Sequence, residues 1–458
     1  MLFTAATLAD GATRDVRVRD GEVVAVEDHL DPASGETVVD ASGYRLLPGA
    51  VDAHVHFRQP GFSHKETWAS GSRAAAAGGV TTVVDQPNTE PPTTTGAAFD
   101  EKAALAAESV VDYGLNGGVT ADWDPETLLD RPLFALGEVF LADSTGDMGI
   151  ETALFRDALQ RAATTDTTVT VHAEDATLFD PSALSNEEDE RETPATGGDA
   201  DADRWSQYRT AEAEIAAVEA ALDAAASVGA SVHVAHTSTP EAVDAVADAR
   251  ASADDDRTVT CEVTPHHLLL SRADATELGT FGRMNPPLRS ERRRRALFER
   301  VRDGTVDLIA TDHAPHTVAE KEATLTDAPS GVPGVETMLP LLLGEVADGR
   351  LSLSRVRDLT ATTPASVFDL PRKGRVAVGH DADLVLVDVE ESTTVRAETL
   401  HTDCGWTPFE GHTAVFPELT LVRGNVVYDA HGLVSDTPDD AAVAGDAVGR
   451  NVRVTHDE

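Results

Sequence analysis

Gly49-Ala-Val-Asp-Ala-His-Val-His-Phe57 is the stretch on which the fold turns: a short apolar, β-branched run, readable as a β-strand, that ends in two histidines one residue apart. Alternate residues of a strand share a face, so both imidazoles point to one place. Residues 67–79 follow, alanine-rich at helical spacing, and then a second strand-like run at 80–88. Further strands are expected at 111–120, 133–142, 168–175, 230–239, 259–268 and 306–315, with helices such as 99–110 and 209–228 between them. Eight strands, each leading to a helix, predict an α/β chain folded as a (β/α)8 TIM barrel, whose active sites gather where the strands end.

The two ends of the chain have a different texture. Residues 13–30, 379–391 and 419–432 read as short strands joined by tight turns. Residues 1–48 and 371–458 are therefore expected to form one small β-sandwich domain, with the barrel, 49–370, inserted between its halves. Within the barrel, 182–204 is acidic and rich in Gly, Ala and Asp, which favours a solvated loop after the fifth strand over a lid. No repeat of fixed period is visible.

The 458 residues carry 80 acidic and 36 basic side chains, a formal charge of −44. Nucleic acid and anionic membrane are poor partners for such a chain. The acids are spread throughout, lysine occurs only at positions 65, 102, 321 and 373, and 41% of residues are hydrophobic. That composition resembles halophilic proteins, whose dense carboxylates stay hydrated while high salt screens their repulsion, and it does not fit a disordered acidic chain. No basic segment followed by an apolar core opens the sequence, and no apolar run approaches the roughly 20 residues of a membrane span, so a cytoplasmic location is expected. Cys261 and Cys404 lack any Cys-x-x-Cys spacing and are expected to be reduced and structural.

Histidines and carboxylates recur at the expected strand ends. Beyond His54 and His56, the fifth strand ends at His172, the sixth carries His233 and His236, and the eighth ends at Asp312. Four histidines and an aspartate on one barrel rim can hold two divalent ions, each with an open position for water. His233 and His236 are three residues apart and would face opposite sides of a strand, which favours His236, nearer the rim. Glu138, a charge inside the apolar run 133–142, needs a partner in any fold.

Taken together, HVHFR, DQPNTEPPT, VHAED, HVAHTST, MNPPLRS and TDHAPH resemble the amidohydrolase superfamily and, within it, the dihydroorotase family; the likeness spans nearly the whole chain. The resemblance implies a binuclear zinc site on His54, His56, His172, His236 and Asp312, with Asp312 also serving as catalytic acid and base. Many members bridge the metals with a carboxylated lysine on strand four, but no lysine lies between Lys102 and Lys321. A direct carboxylate bridge from Glu138 is expected instead; Asp143 and a single-metal site are the alternatives.

The resemblance also implies that Arg58, Asn88 and His316 hold a substrate carboxylate, that Asn285 contacts the ring, and that Val332 and Pro333, in the loop 330–335, meet its amide groups. A guanidinium suits a carboxylate through two parallel hydrogen bonds. Lys65 and Glu66 recur in the family as well, though a first-helix ion pair accounts for them, and His266 and His267 are expected either to support the metal ligands from behind or to be structural. The implied activity is reversible closure of N-carbamoyl-L-aspartate to L-dihydroorotate in pyrimidine synthesis. A hydantoinase, dihydropyrimidinase or allantoinase is the rival within the same chemistry, and a non-catalytic scaffold the rival outside it. A homodimer and a contact with aspartate transcarbamoylase are the partner arrangements left open.

Overall fold

The computed structural model describes residues 1–141, 148–184, 201–254, 257–434 and 447–454. Eight parallel strands form the barrel: β1 (Ala50–Val55), β2 (Val80–Asp85), β3 (Asp112–Leu115), β4 (Leu136–Leu141), β5 (Val169–Ala173), β6 (Val232–Val234), β7 (Val259–Val263) and β8 (Leu308–Ile309). Each pairs with the next in sequence order. The two remaining seams close through single bridges, Gly117↔Leu136 between β3 and β4 and Val55↔His313 between β8 and β1. Closure leaves no free edge, and the strands are buried on both faces, which is why they read as near-continuous apolar runs.

Helices follow the strands on the outside. Thr67, Thr95, Thr210, Thr239 and Ser290 each accept a hydrogen bond from the backbone N–H three residues on, capping Trp68–Ala77, Gly96–Ala106, Ala211–Val228, Pro240–Ala251 and Glu291–Asp303. Alanine dominates the faces turned to the barrel because it lets helix and sheet approach closely: Ala74, Ala75, Ala217, Ala221 and Ala225 all lie in the main core.

The chain ends meet in one sheet of eight strands. Its order is Asn425–Asp429, Pro417–Val422, Leu384–Val387, Arg45–Pro48, Leu2–Thr7, Thr13–Arg19, Glu22–Glu27, with Val38–Asp40 paired to Leu2–Thr7. This small β-sandwich domain has its own core of Phe3, Val16, Leu46, Leu384 and Leu421. Not all of 371–458 joins it. Val395, Cys404, Trp406 and Phe409 pack with Leu270, Met284 and Leu341 of the barrel, and Tyr113 of β3 pairs with Asn451. Short apolar alternation announces a strand or turn but not the surface that will cover it.

The lysines deepen the reading of composition. Lys102 and Lys321 are wholly buried and Lys373 nearly so. Lys373 Nζ lies 2.6 Å from both Asp112 and Asp383, tying the barrel to the end sheet. Only Lys65 reaches solvent, and only in part, so the surface cations are almost all arginine.

Candidate functional site

β1 brings His54 and His56 to the rim, both buried. His54 Nδ1 donates to Glu262 Oε1 at 2.7 Å. Its Nε2, buried without a hydrogen-bond partner, faces Glu138 Oε2 at 3.4 Å and Asp312 Oδ1 at 3.6 Å. His56 meets the Asn88 side-chain oxygen through Nδ1 at 2.7 Å and Asp312 Oδ1 through Nε2 at 3.0 Å. Across the barrel Glu138 Oε1 lies 2.5 Å from His236 Nε2 and 3.2 Å from His172 Nδ1, and those two imidazole nitrogens are 3.1 Å apart.

Two groups of donor atoms result, each within 4.8 Å: His54, His56 and Asp312, and His54, Glu138 and His236. They share His54, and Glu138 stands between its ring and the pair His172 and His236. Imidazole nitrogens aimed with carboxylates at one point, one of them left without a hydrogen bond in a buried place, make the donor set of a divalent cation. The third such group among the described residues, Asp112, Asp381 and Asp383, already encloses the Lys373 ammonium.

The charges fit the same purpose. Burial pushes the Glu138 carboxyl up, but His54 and His236 hold it well below the usual carboxylate range. Burial likewise opposes ionisation of Asp312, which the His56 hydrogen bond and His54 overcome. Both side chains are therefore anionic, as cation ligands must be. Burial works against a charged His54, yet Glu138 and Glu262 raise its pKa well above normal, so a cation entering here competes with a proton. Among the described residues, three of the eight non-glycine positions with positive φ are Arg58 (64°), His236 (32°) and Asp312 (48°). Backbone held in this sparse region clusters at functional sites. Gly137 (φ 144°) precedes Glu138 where a Cβ would strike the Thr170 backbone, so β4 needs glycine there to carry its carboxylate.

A cavity opens over these donors, lined in part by Arg58, Asn88, Phe140, Asn285, Ser330 and Gly331. Arg58 is buried, and among the described residues no carboxylate pairs with its guanidinium. Its Nε donates to the Pro315 carbonyl and its Nη2 lies 3.0 Å from His316 Nε2. Burial lowers its pKa to about 10, which leaves it charged at neutral pH. His316 sits behind Arg58 and not on the cavity wall; Lys65 Nζ approaches its Nδ1 at 3.1 Å, and burial with the Arg58 charge holds it neutral. Glu66 faces away from the cavity, toward Ser70 and Thr402.

Several expectations need correction. His233 and His236 do not face opposite sides. His233 points into the barrel below the rim, 3.0 Å from Glu262, while β6 ends at Val234 and the turn at His236 brings the second ring in as well. Strand alternation fails once the strand has ended. Val332 is buried in an apolar cluster and Pro333 lines a separate small cavity with His313 and Thr402; Ser330 and Gly331 face the site instead. The loop's glycines let its backbone turn, so side-chain order could not be read from spacing. His266 and His267 are structural: His267 bridges Thr264 and the Pro286 carbonyl. The stretch 182–204 closes with a helix, Asp201–Tyr208, rather than loop, and 185–200 and Asp143 lie outside the described residues.

Glu262 and Glu174 went unnoticed. Glu262 holds His54 and His233, and Glu174 lies 3.2 Å from His172 Nε2 while paired to the buried Arg209. Glu262 stands in the apolar run Val-Thr-Cys-Glu-Val, the same signal that singled out Glu138.

The pattern of the Amidohydrolase family matches residues 45–452. A dihydroorotase of Halobacterium salinarum is 62% identical over 98% of both chains, and one of Methanosarcina mazei 43% identical over 90% of both. Among solved structures, an L-hydantoinase (dihydropyrimidinase) from Arthrobacter aurescens superposes with a TM-score of 0.88 at 28% identity, covering 98% of each chain. A dihydropyrimidinase from Brevibacillus agri gives 0.84 at 28% identity over 99% and 98%. No described helix is long and apolar enough to cross a membrane.

Proposed function

The chain belongs to the amidohydrolase family, and on that premise we propose that it catalyses the reversible closure of N-carbamoyl-L-aspartate to L-dihydroorotate with loss of water, a step of pyrimidine synthesis. One observation carries the choice of substrate. Arg58 is a buried guanidinium on the cavity wall with no carboxylate paired to it among the described residues, and a buried charge needs a partner. A substrate carboxylate supplies it, whereas hydantoin and dihydrouracil bring none. Asn88, whose oxygen is engaged by His56, has its amide N–H groups left for the same carboxylate.

Two zinc ions are the cofactors this reading implies: His54, His56 and Asp312 would hold one, His172 and His236 the other, and Glu138 would serve both groups. When bound they would polarise the amide carbonyl and lower the pKa of a water. Arg58 and Asn88 fix the substrate by its carboxylate, so that the ring amide lies over Asp312. In the hydrolytic direction Asp312, anionic at neutral pH, accepts a proton as oxygen adds to the carbonyl carbon. It returns that proton to the ring nitrogen as the C–N bond breaks, which leaves the open-chain product neutral at the new amide nitrogen. His316 keeps Arg58 in place from behind.

The hydantoinase reading draws on the superposed structures and predicts turnover of neutral rings. Assays in high salt with dihydroorotate, hydantoin, dihydrouracil and allantoin separate the two. We expect activity on dihydroorotate alone; preference for a neutral ring would overturn the proposal. Residues 1–48, 49–370 and 371–458 remain our division of the chain, with part of the last segment lodged on the barrel. A homodimer and contact with aspartate transcarbamoylase are proposals of the same standing, tested by sedimentation with and without that enzyme.

A further inference from the structure

Trp205 stands in the helix Asp201–Tyr208, buried, with its indole N–H reaching two acceptors of the loop after β7: the Met284 carbonyl at 3.1 Å and Asn285 Oδ1 at 3.0 Å. An indole nitrogen only donates, so the carboxamide atom it meets must be the oxygen. Ser330 Oγ reaches that same oxygen at 3.2 Å. Asn285 lines the cavity, and its Nδ2 makes no hydrogen bond among the described residues. With the oxygen taken from the wall side, the group presented to a ligand is the N–H pair.

The indole is itself held. The Arg283 guanidinium stacks 3.8 Å from its ring centroid and donates to Ser330 Oγ at 3.1 Å, and the Tyr208 ring lies 5.3 Å away. The indole thus joins the excursion after β5 to the loop after β7, and Arg283 and Asn285 carry the contact on to Ser330 in the loop after β8.

We propose that Trp205 is a positioning residue that sets the hydrogen-bond polarity of this wall: by engaging the Asn285 oxygen it makes Asn285 a donor, matched to a carbonyl oxygen of the cyclic substrate. Without the indole N–H the carboxamide is free to turn over, and its oxygen would then oppose that carbonyl. The inference rests on the proposed activity and on Asn285 as a substrate contact.

Trp205→Phe keeps an aromatic ring beneath Arg283 and removes the N–H donor together with part of the ring. With the zinc-loaded enzyme in high salt and dihydroorotate as substrate, we expect KM to rise about 3- to 10-fold with kcat nearly unchanged, the loss of one neutral hydrogen bond. Asn285→Ala should raise KM at least as much, and the double variant no further than Asn285→Ala alone. An unshifted KM in Trp205→Phe, or additive effects in the double variant, overturns the proposal. Should Trp205→Phe not fold, Asn285→Asp decides: its second oxygen would face the substrate carbonyl and raise KM by about tenfold or more, and an unchanged KM again overturns the assignment. A wild-type protein inert toward dihydroorotate would instead sink the proposed activity itself.

Discussion

Glu262→Gln removes the anchor that two of the proposed metal ligands share. Glu262 accepts from His54 Nδ1 at 2.7 Å, from His233 Nε2 at 3.0 Å and from the His236 backbone N–H at 3.2 Å, wholly out of water. Glutamine keeps the shape, but one oxygen becomes an NH2 group that confronts a donor. Losing one charge-assisted hydrogen bond costs about 1.5–3 kcal/mol. At about 1.4 kcal/mol per factor of ten, metal affinity should fall about 10- to 150-fold, in the range found when partners of ligating histidines are removed. A second effect has the opposite sign. Glu262 also raises the His54 pKa, so its loss weakens the proton that competes with the metal. The net loss should therefore be larger at high pH, where His54 is deprotonated in both proteins, than near neutrality. Chelator-competition titration with zinc at two pH values, on protein whose circular dichroism is native, reads both effects. Folded Glu262→Gln that binds zinc as the wild type does at high pH refutes the reasoning.

Glu138→Ala should lose one of two metal equivalents and most activity; two tightly held metals by elemental analysis with undiminished turnover would rule the bridge out. Asp312→Asn should lower the rate at least about 10²-fold, the low end of a general acid–base contribution, and near-normal kcat would remove Asp312 from that role. With a charge of −44, the fold should depend on screening. Circular dichroism is expected to report unfolding as salt falls from molar to millimolar, and full stability in dilute buffer would contradict the halophilic reading, which the 62% identity to the Halobacterium salinarum protein supports.

Much of the barrel was legible because its signals are local. Alanine-rich stretches at helical spacing mark the helices, and apolar runs mark strands to within a few residues of their observed ends. Polar residues at those ends were legible for the same reason: a strand that stops at the rim delivers whatever follows it. The errors fell where local rules stop. His236 reaches the site through a left-handed turn, so the period-two argument against His233 did not apply. Val332 and Pro333 were chosen from a loop in which backbone, not side-chain order, decides what faces the cavity.

From its sequence alone this chain is determined to be an acidic (β/α)8 protein with histidines and carboxylates at its strand ends, since periodicity, capping and charge are properties of neighbouring residues. Tertiary structure alone decided which groups meet: Glu262 with His54 across a separation of 208 positions, Glu138 between two histidine pairs, and Trp205 against Asn285. Barrel closure brings these side chains within hydrogen-bond reach, and a buried polar atom must then find a partner among whatever closure places beside it.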